Sequence, residues 1–315
     1  MKFIKDMHDG ERISDIYLCK SYTQAVSKTG KPYGSVTLMD KTGSLDCKIW
    51  DLNNAGIEDF KAGDFILVNG DITTYNGSLQ AKIVRVRKAS EGEYDVAQYV
   101  PSSKRDIEEM YRELLALVKN VDNHYLRALL EEFFIKDTDF IAKFKQTSAA
   151  KSVHHSYVGG LLEHTLSVAT LCKFYASRYP MLKKDLLVTA ALLHDIGKVR
   201  EFSPFPTNDY TDEGNLLGHI VMGSEMVGEK IKLYEDFPVS LASELKHCIL
   251  AHHGKLEFGS PKKPALIEAV ALNYADDLDA KMESFREILA GTESTDWLGF
   301  NRLFDSNLRA TKQAE

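Results

Sequence analysis

Hydrophobic and polar residues alternate in short runs over the first quarter of the chain and recur at helical spacing from there on. Runs rich in Ile, Val, Tyr and Thr cover residues 13–22, 35–39, 44–50, 65–74 and 79–86, which predicts five strands. Asp40-Lys41-Thr42-Gly43 and Tyr75-Asn76-Gly77 read as turns between them. Residues 57–60 read as a short helix before the fourth strand. The chain turns polar over residues 89–101, around Ser90, Glu91, Gly92 and Glu93, and this marks a connector. Beyond it, Ser103 and Asp106 predict a capped start for a helix to about residue 120, with Ile107, Tyr111, Leu114, Leu115 and Val118 on one face. Two shorter helices follow over residues 125–134 and 139–144. Residues 184–193 are apolar on nearly every side, the mark of a helix buried in a bundle. Another helix runs from residue 239 to His253 with Gly254 as its stop, and residues 266–275 form a strongly apolar one. The tail from residue 290 is polar, with a last helix near residues 297–303.

Five strands with a helix ahead of the fourth is the order of an OB-fold barrel. The expected fold is therefore multidomain α+β: a five-stranded OB-fold β-barrel over residues 1–90, a linker and helical extension over 91–150, and an all-α bundle over 151–315 with its core at 152–284. A chain of 315 residues with 44% hydrophobic content can supply a core for each part. The start of the chain lacks the apolar stretch of a signal peptide, and no run reaches the length of a membrane span. Cys19, Cys47, Cys172 and Cys248 are widely separated and form no metal-binding spacing, so a reduced, cytoplasmic protein is expected. The net charge of −7 counts against coating nucleic acid by global attraction. It leaves room for a local basic groove. OB-folds commonly hold single strands with stacked aromatics and basic groups. Lys31, Tyr33, Lys48, Trp50 and Tyr75 are the candidates here; the alternative is that Trp50 and Tyr75 fill the barrel or its ends.

The chemistry-bearing residues come in order: His164, then His194-Asp195, then His219, then His252-His253, then Asp276, each in or beside an apolar run. A carboxylate such as Asp195 at the end of a buried helix must be protonated, salt-bridged or metal-bound. Imidazole and carboxylate suit Mn, Fe, Zn and similar divalent ions, and a carboxylate in the middle of the set can bridge two of them. Upstream of His164 stand His154, His155 and the pair Gly159-Gly160. The two histidines have two readings, a structural role or contact with a scissile phosphate or a base. The glycines let backbone approach a neighbour or a phosphate.

This ordered set, with Gly197-Lys198 after the His-Asp pair and Ala275-Asp276 near the end of a late helix, resembles the HD-domain metal-dependent phosphohydrolases over residues 152–282. The run His154-His155-Ser156-Tyr157-Val158-Gly159-Gly160-Leu161-Leu162-Glu163-His164-Thr165, behind an OB-like domain, resembles the YhaM-type 3′→5′ exoribonucleases of Gram-positive bacteria. The resemblance implies two divalent ions, manganese first and Fe, Mg or Zn as alternatives. One would be held by His164, His194, Asp195 and Asp276; the second, bridged through Asp195, by His219 and His252 with His253 close by. It also selects Asp276 over Asp277 and Asp279. Lys198 would offset charge on the phosphate oxygens, and His194 and Asp195 would share in the chemistry. The implied reaction releases 5′-mononucleotides from the 3′ end of single-stranded RNA, or DNA, and the implied assembly is a homo-oligomer. Two other classes fit the same residues: a phosphohydrolase of a small or cyclic nucleotide, and a DNA-binding replication or regulatory factor without catalysis.

Overall fold

The computed structural model describes residues 1–27, 30–75, 77–151, 155–290 and 296–312, so His154 and the turn residue Asn76 lie outside the described residues. Five strands, β1 (Arg12–Val26), β2 (Pro32–Asp40), β3 (Gly43–Ile49), β4 (Phe65–Tyr75) and β5 (Ser78–Lys88), close into a barrel in the order β1-β2-β3-β5-β4. All neighbours are antiparallel except β3 and β5, whose parallel pairing of Asp46–Lys48 with Gln80–Lys82 completes the closure. Buried positions alternate along β2 and most of β4, as a surface with one face inward requires. Ile13, Tyr17, Leu38, Cys47, Ile49 and Ile66 fill the interior.

The expected helix over residues 57–60 does not form. Ile57 pairs instead with Val86 of β5, where the amide of Val86 donates to the Gly56 carbonyl and that of Glu58 to the Val86 carbonyl. A barrel edge offering two backbone hydrogen bonds and a seat for an isoleucine outcompetes a single helical turn.

A connector of residues 89–106 leads into the helices α1 (Ile107–Lys119), α2 (His124–Glu131), α3 (Thr138–Gln146), α4 (Gly160–Arg178), α5 (Lys184–Leu193), α6 (Lys198–Glu201), α7 (Asp212–Ile231), α8 (Val239–Ala251) and α9 (Ile267–Ala290). Asp106 caps α1 by accepting from the Glu109 amide at 2.7 Å. Ser103 has a different task, described below. Helix α5 is buried from Leu186 to Leu193 and forms the middle of a second core with Leu161, Leu166, Leu245 and Leu272. Helix α9 continues well past residue 275, because no Gly or Pro interrupts residues 266–290, and Asp276 therefore lies in mid-helix. The expected tail helix is absent: residues 297–308 form a small hairpin that pairs Phe300–Asn301 with Ser306–Asn307. All four cysteines are free and buried, two in the barrel and two among the helices. No helix of the described residues is long and apolar enough to cross a membrane.

Candidate metal centre and nucleic-acid face

Helix α5 runs apolar until His194 caps its C-terminus and Asp195 follows, so both side chains emerge inside the bundle, 0% and 2% exposed. Three other elements bring histidines to them. His164 comes from the first turns of α4 and His252 from the C-terminal cap of α8. His219 follows a break at Gly218, whose backbone leaves helical geometry in the middle of α7 and turns the next residue inward. Gly197 makes the approach feasible, since a Cβ there would lie 2.0 Å from the His219 carbonyl oxygen.

The two oxygens of Asp195 face different partners. Oδ2 lies 3.5 Å from His164 Nε2 and 3.4 Å from His194 Nε2, with Asp276 Oδ1 a further 3.1 Å from His164 Nε2. Oδ1 lies 3.4 Å from His219 Nε2 and 3.6 Å from His252 Nε2. Asp195 Oδ1, His219 Nε2 and His252 Nε2 are all buried, and none has a hydrogen-bond partner among the described residues. Buried polar atoms are rarely left so, and three converging ones fit a cation as their missing partner.

Each histidine is also fixed from behind. The Nδ1 atoms of His164, His194, His219 and His252 meet Asp279 Oδ2 at 2.7 Å, the Ala191 carbonyl at 2.7 Å, Glu201 Oε1 at 3.0 Å and the Ile249 carbonyl at 2.7 Å. A hydrogen on Nδ1 leaves the Nε2 lone pair free to ligate, the usual arrangement behind metal-bound histidine. His253 likewise ties Nδ1 to the Phe258 carbonyl at 2.8 Å, and the ligating atoms of His219, His252 and His253 lie within 4.8 Å of one another. The donor set, nitrogen and carboxylate oxygen without thiolate, fits divalent Mn, Fe or Zn.

The electrostatics are those of a site built for cations. Burial by itself pushes the Asp195 carboxyl up, but Lys198 and His194 outweigh it and hold the group well below the usual carboxylate range. Burial likewise opposes the charge on Lys198, and Asp195, 2.6 Å from its Nζ, more than restores it. Burial pushes His219 and His252 down, and burial with neighbouring His252 brings His253 down to about 4, so these three stand neutral near pH 7.

Of the residues singled out in the sequence, the structure brings His164, His194, Asp195, His219, His252, His253, Asp276 and Lys198 together. Asp277 points away and pairs with Lys281. His155 and the glycines take the structural one of the roles open to them. His155 is 2% exposed, buried between Tyr157 and Asp279 rather than open to a phosphate. Gly159 and Gly160 are buried too, and a Cβ on Gly160 would lie 2.0 Å from the His155 carbonyl oxygen. Sequence reading weighed Asp279 only as a ligand and missed Glu201, although each follows a singled-out residue, Asp276 or Lys198, by three positions and so shares its helix face.

On the barrel, Trp50 lies just past the end of β3 and Tyr33 just inside the start of β2. The register that sets Gly34 opposite Ile49 brings their rings to 5.2 Å at 32°. Lys48 Nζ stands 5.8 Å from the Tyr33 ring centre and donates to Ser35 Oγ at 2.7 Å. Trp50 is 51% exposed and Tyr75 64%, so neither fills the barrel, and Lys31 is exposed. At the close of the barrel, Arg87 pairs with Glu93 and Lys88 with Asp64.

Residues 161–281 match the family model of the HD domain, and residues 12–89 match that of the OB-fold nucleic acid binding domain. Among solved structures, the second OB-fold domain of replication protein A from Methanococcus maripaludis is similar at 18% identity and a TM-score of 0.24, covering 30% of this chain and 98% of its own. The chain thus joins a closed five-stranded OB-fold barrel to a helical HD domain, a pairing that supports a hydrolase acting on nucleic acid.

Proposed function

We propose that the protein is a metal-dependent 3′→5′ exonuclease that shortens single-stranded RNA, and DNA as a second substrate, to 5′-mononucleotides. The observation that carries this reading is the division of Asp195: one oxygen faces His164 and His194, the other His219 and His252. A buried carboxylate shared between two imidazole pairs suits two neighbouring divalent ions, with Asp276 completing the first set. When bound, such ions lower the pKa of water, orient a phosphodiester and offset the charge that develops on it. The nitrogen and oxygen donors fit Mn, Fe or Zn, and Mn is the first choice on the resemblance of residues 154–165 to the YhaM-type run.

The chain's own residues do the rest. His164, His194, His219 and His252 hold their tautomers through their Nδ1 partners and keep Nε2 aimed inward. Lys198, one turn beyond Asp195, keeps that carboxylate ionised and in place, and is the nearest fixed cation to the cluster. Tyr33, Trp50, Tyr75, Lys31 and Lys48 offer aromatic faces and ammonium groups to a single strand, a grip tolerant of sequence. Polarity from the 3′ end rests on the resemblance of residues 154–165 to the YhaM-type run.

The test is degradation of a single-stranded RNA labelled at its 5′ end, with Mn2+, Mg2+ and chelator compared, alongside Asp195→Ala. A ladder shortening from the 3′ end, dependent on metal and lost in the variant, is the expected result. RNA left intact under every metal would sink the assignment and direct attention to small and cyclic nucleotides.

A further inference from the structure

The first metal set is backed by a continuous line of hydrogen bonds that ends in the connector. Asp279 Oδ2 meets His164 Nδ1 at 2.7 Å and His155 Nε2 at 3.1 Å. The other side of the His155 ring meets the Tyr157 hydroxyl at 2.9 Å. Tyr157 donates to Glu163 Oε2 at 2.9 Å, and the same oxygen accepts from the Ser103 hydroxyl at 2.7 Å. Ser103 belongs to the segment that joins the barrel to the helices. That segment is fastened at the same place by backbone, since the Val158 amide donates to the Pro101 carbonyl and the Ser103 amide to the Val158 carbonyl. Gly160 lets the turn fold back tightly enough to deliver His155 to Asp279. Among the described residues, the Nδ1 atoms of His194 and His252 end instead on carbonyls of their own helices.

From this difference we infer that the line Ser103, Glu163, Tyr157, His155 and Asp279 is a positioning device for His164, through which the connector sets the affinity of the first metal site and leaves the second unaffected. None of the five belongs to either proposed ligand set. Groups behind a ligating histidine fix its ring direction and tautomer, and their loss typically weakens metal binding ten- to a hundredfold. The inference rests on the proposed reading of the cluster as a two-ion site.

The experiment is Mn2+ titration of the full chain by calorimetry and by electron paramagnetic resonance of free Mn2+, with Tyr157→Phe, Asp279→Ala and Asp279→Asn compared. Tyr157→Phe removes one oxygen at the middle of the line and leaves both ligand sets intact. The expected result is two sites in the unsubstituted protein. One of them should weaken about tenfold or more in Tyr157→Phe and further in Asp279→Ala, with partial recovery in Asp279→Asn, which keeps an acceptor for His164. The second site and the melting temperature of the metal-free Tyr157→Phe protein should hold. Two sites of unchanged affinity in Tyr157→Phe would overturn the inference and leave the metal reading standing. Equal weakening of both sites would overturn it as well, because a general loosening does not discriminate between them. Failure of the unsubstituted protein to bind Mn2+ would overturn both readings together.

Discussion

At Asp195 a single buried carboxylate faces four imidazoles and one ammonium. Without metal, Lys198 is the counter-charge in closest contact with it, 2.6 Å away, and Lys198→Met removes that partner from a buried anion. Breaking a buried ion pair from one side costs about 3–5 kcal/mol. Urea unfolding of the metal-free variant should show a loss of that size, and saturating Mn2+ should restore much of it by supplying the missing positive charge. His164 carries a different load. Burial alone would lower its pKa, but Asp276 and Asp279 raise it from 6.5 to about 9. The stabilisation from that pairing is full below the unfolded value and is lost as pH rises through about 9. At pH 7 the ring of the metal-free protein is therefore protonated, and an ion that takes Nε2 must displace the proton. Calorimetry in buffers of different ionisation enthalpy should find about one proton released per protein, with affinity climbing roughly tenfold per pH unit towards pH 9.

Secondary elements differ in how openly the sequence announces them. The five strands were legible because a barrel has one wet and one dry face and writes that alternation into each run. Helix α5 was legible because a helix buried on all sides is apolar throughout. Residues 57–60 were not, since their state is decided by what β5 offers them rather than by local preference. The acids Asp276, Asp277 and Asp279 read as the end of a helix, yet α9 carries them in its interior, where the face of the helix decides which is functional. Ligand positions were visible as ordered residue types; the groups behind them were not, because Asp279, Glu201 and Tyr157 acquire meaning only through folding. The barrel face gives a check at this scale. Trp50→Ala and Tyr33→Ala should each weaken binding of a single-stranded oligonucleotide by about 1–3 kcal/mol, the worth of a stacked base, in fluorescence anisotropy. Hydrolysis of a nitrophenyl phosphodiester, too short to reach the barrel, should hold steady in both variants.

The described residues form two hydrophobic cores, one inside the barrel and one among the helices. Burial of the four cysteines has a consequence for how those cores come apart. Burial pushes the thiols of Cys19, Cys47 and Cys248 up to about 12 and that of Cys172 up as well, so none offers an alkylating reagent a thiolate while its surroundings stay closed. Cys19 and Cys47 thus report on the barrel, Cys172 and Cys248 on the helices, with no label added and no residue changed. Brief exposure to iodoacetamide along a urea gradient, followed by peptide mass analysis, should modify the two pairs at different urea concentrations, each pair together. The chain carries its own internal clock for which half opens first.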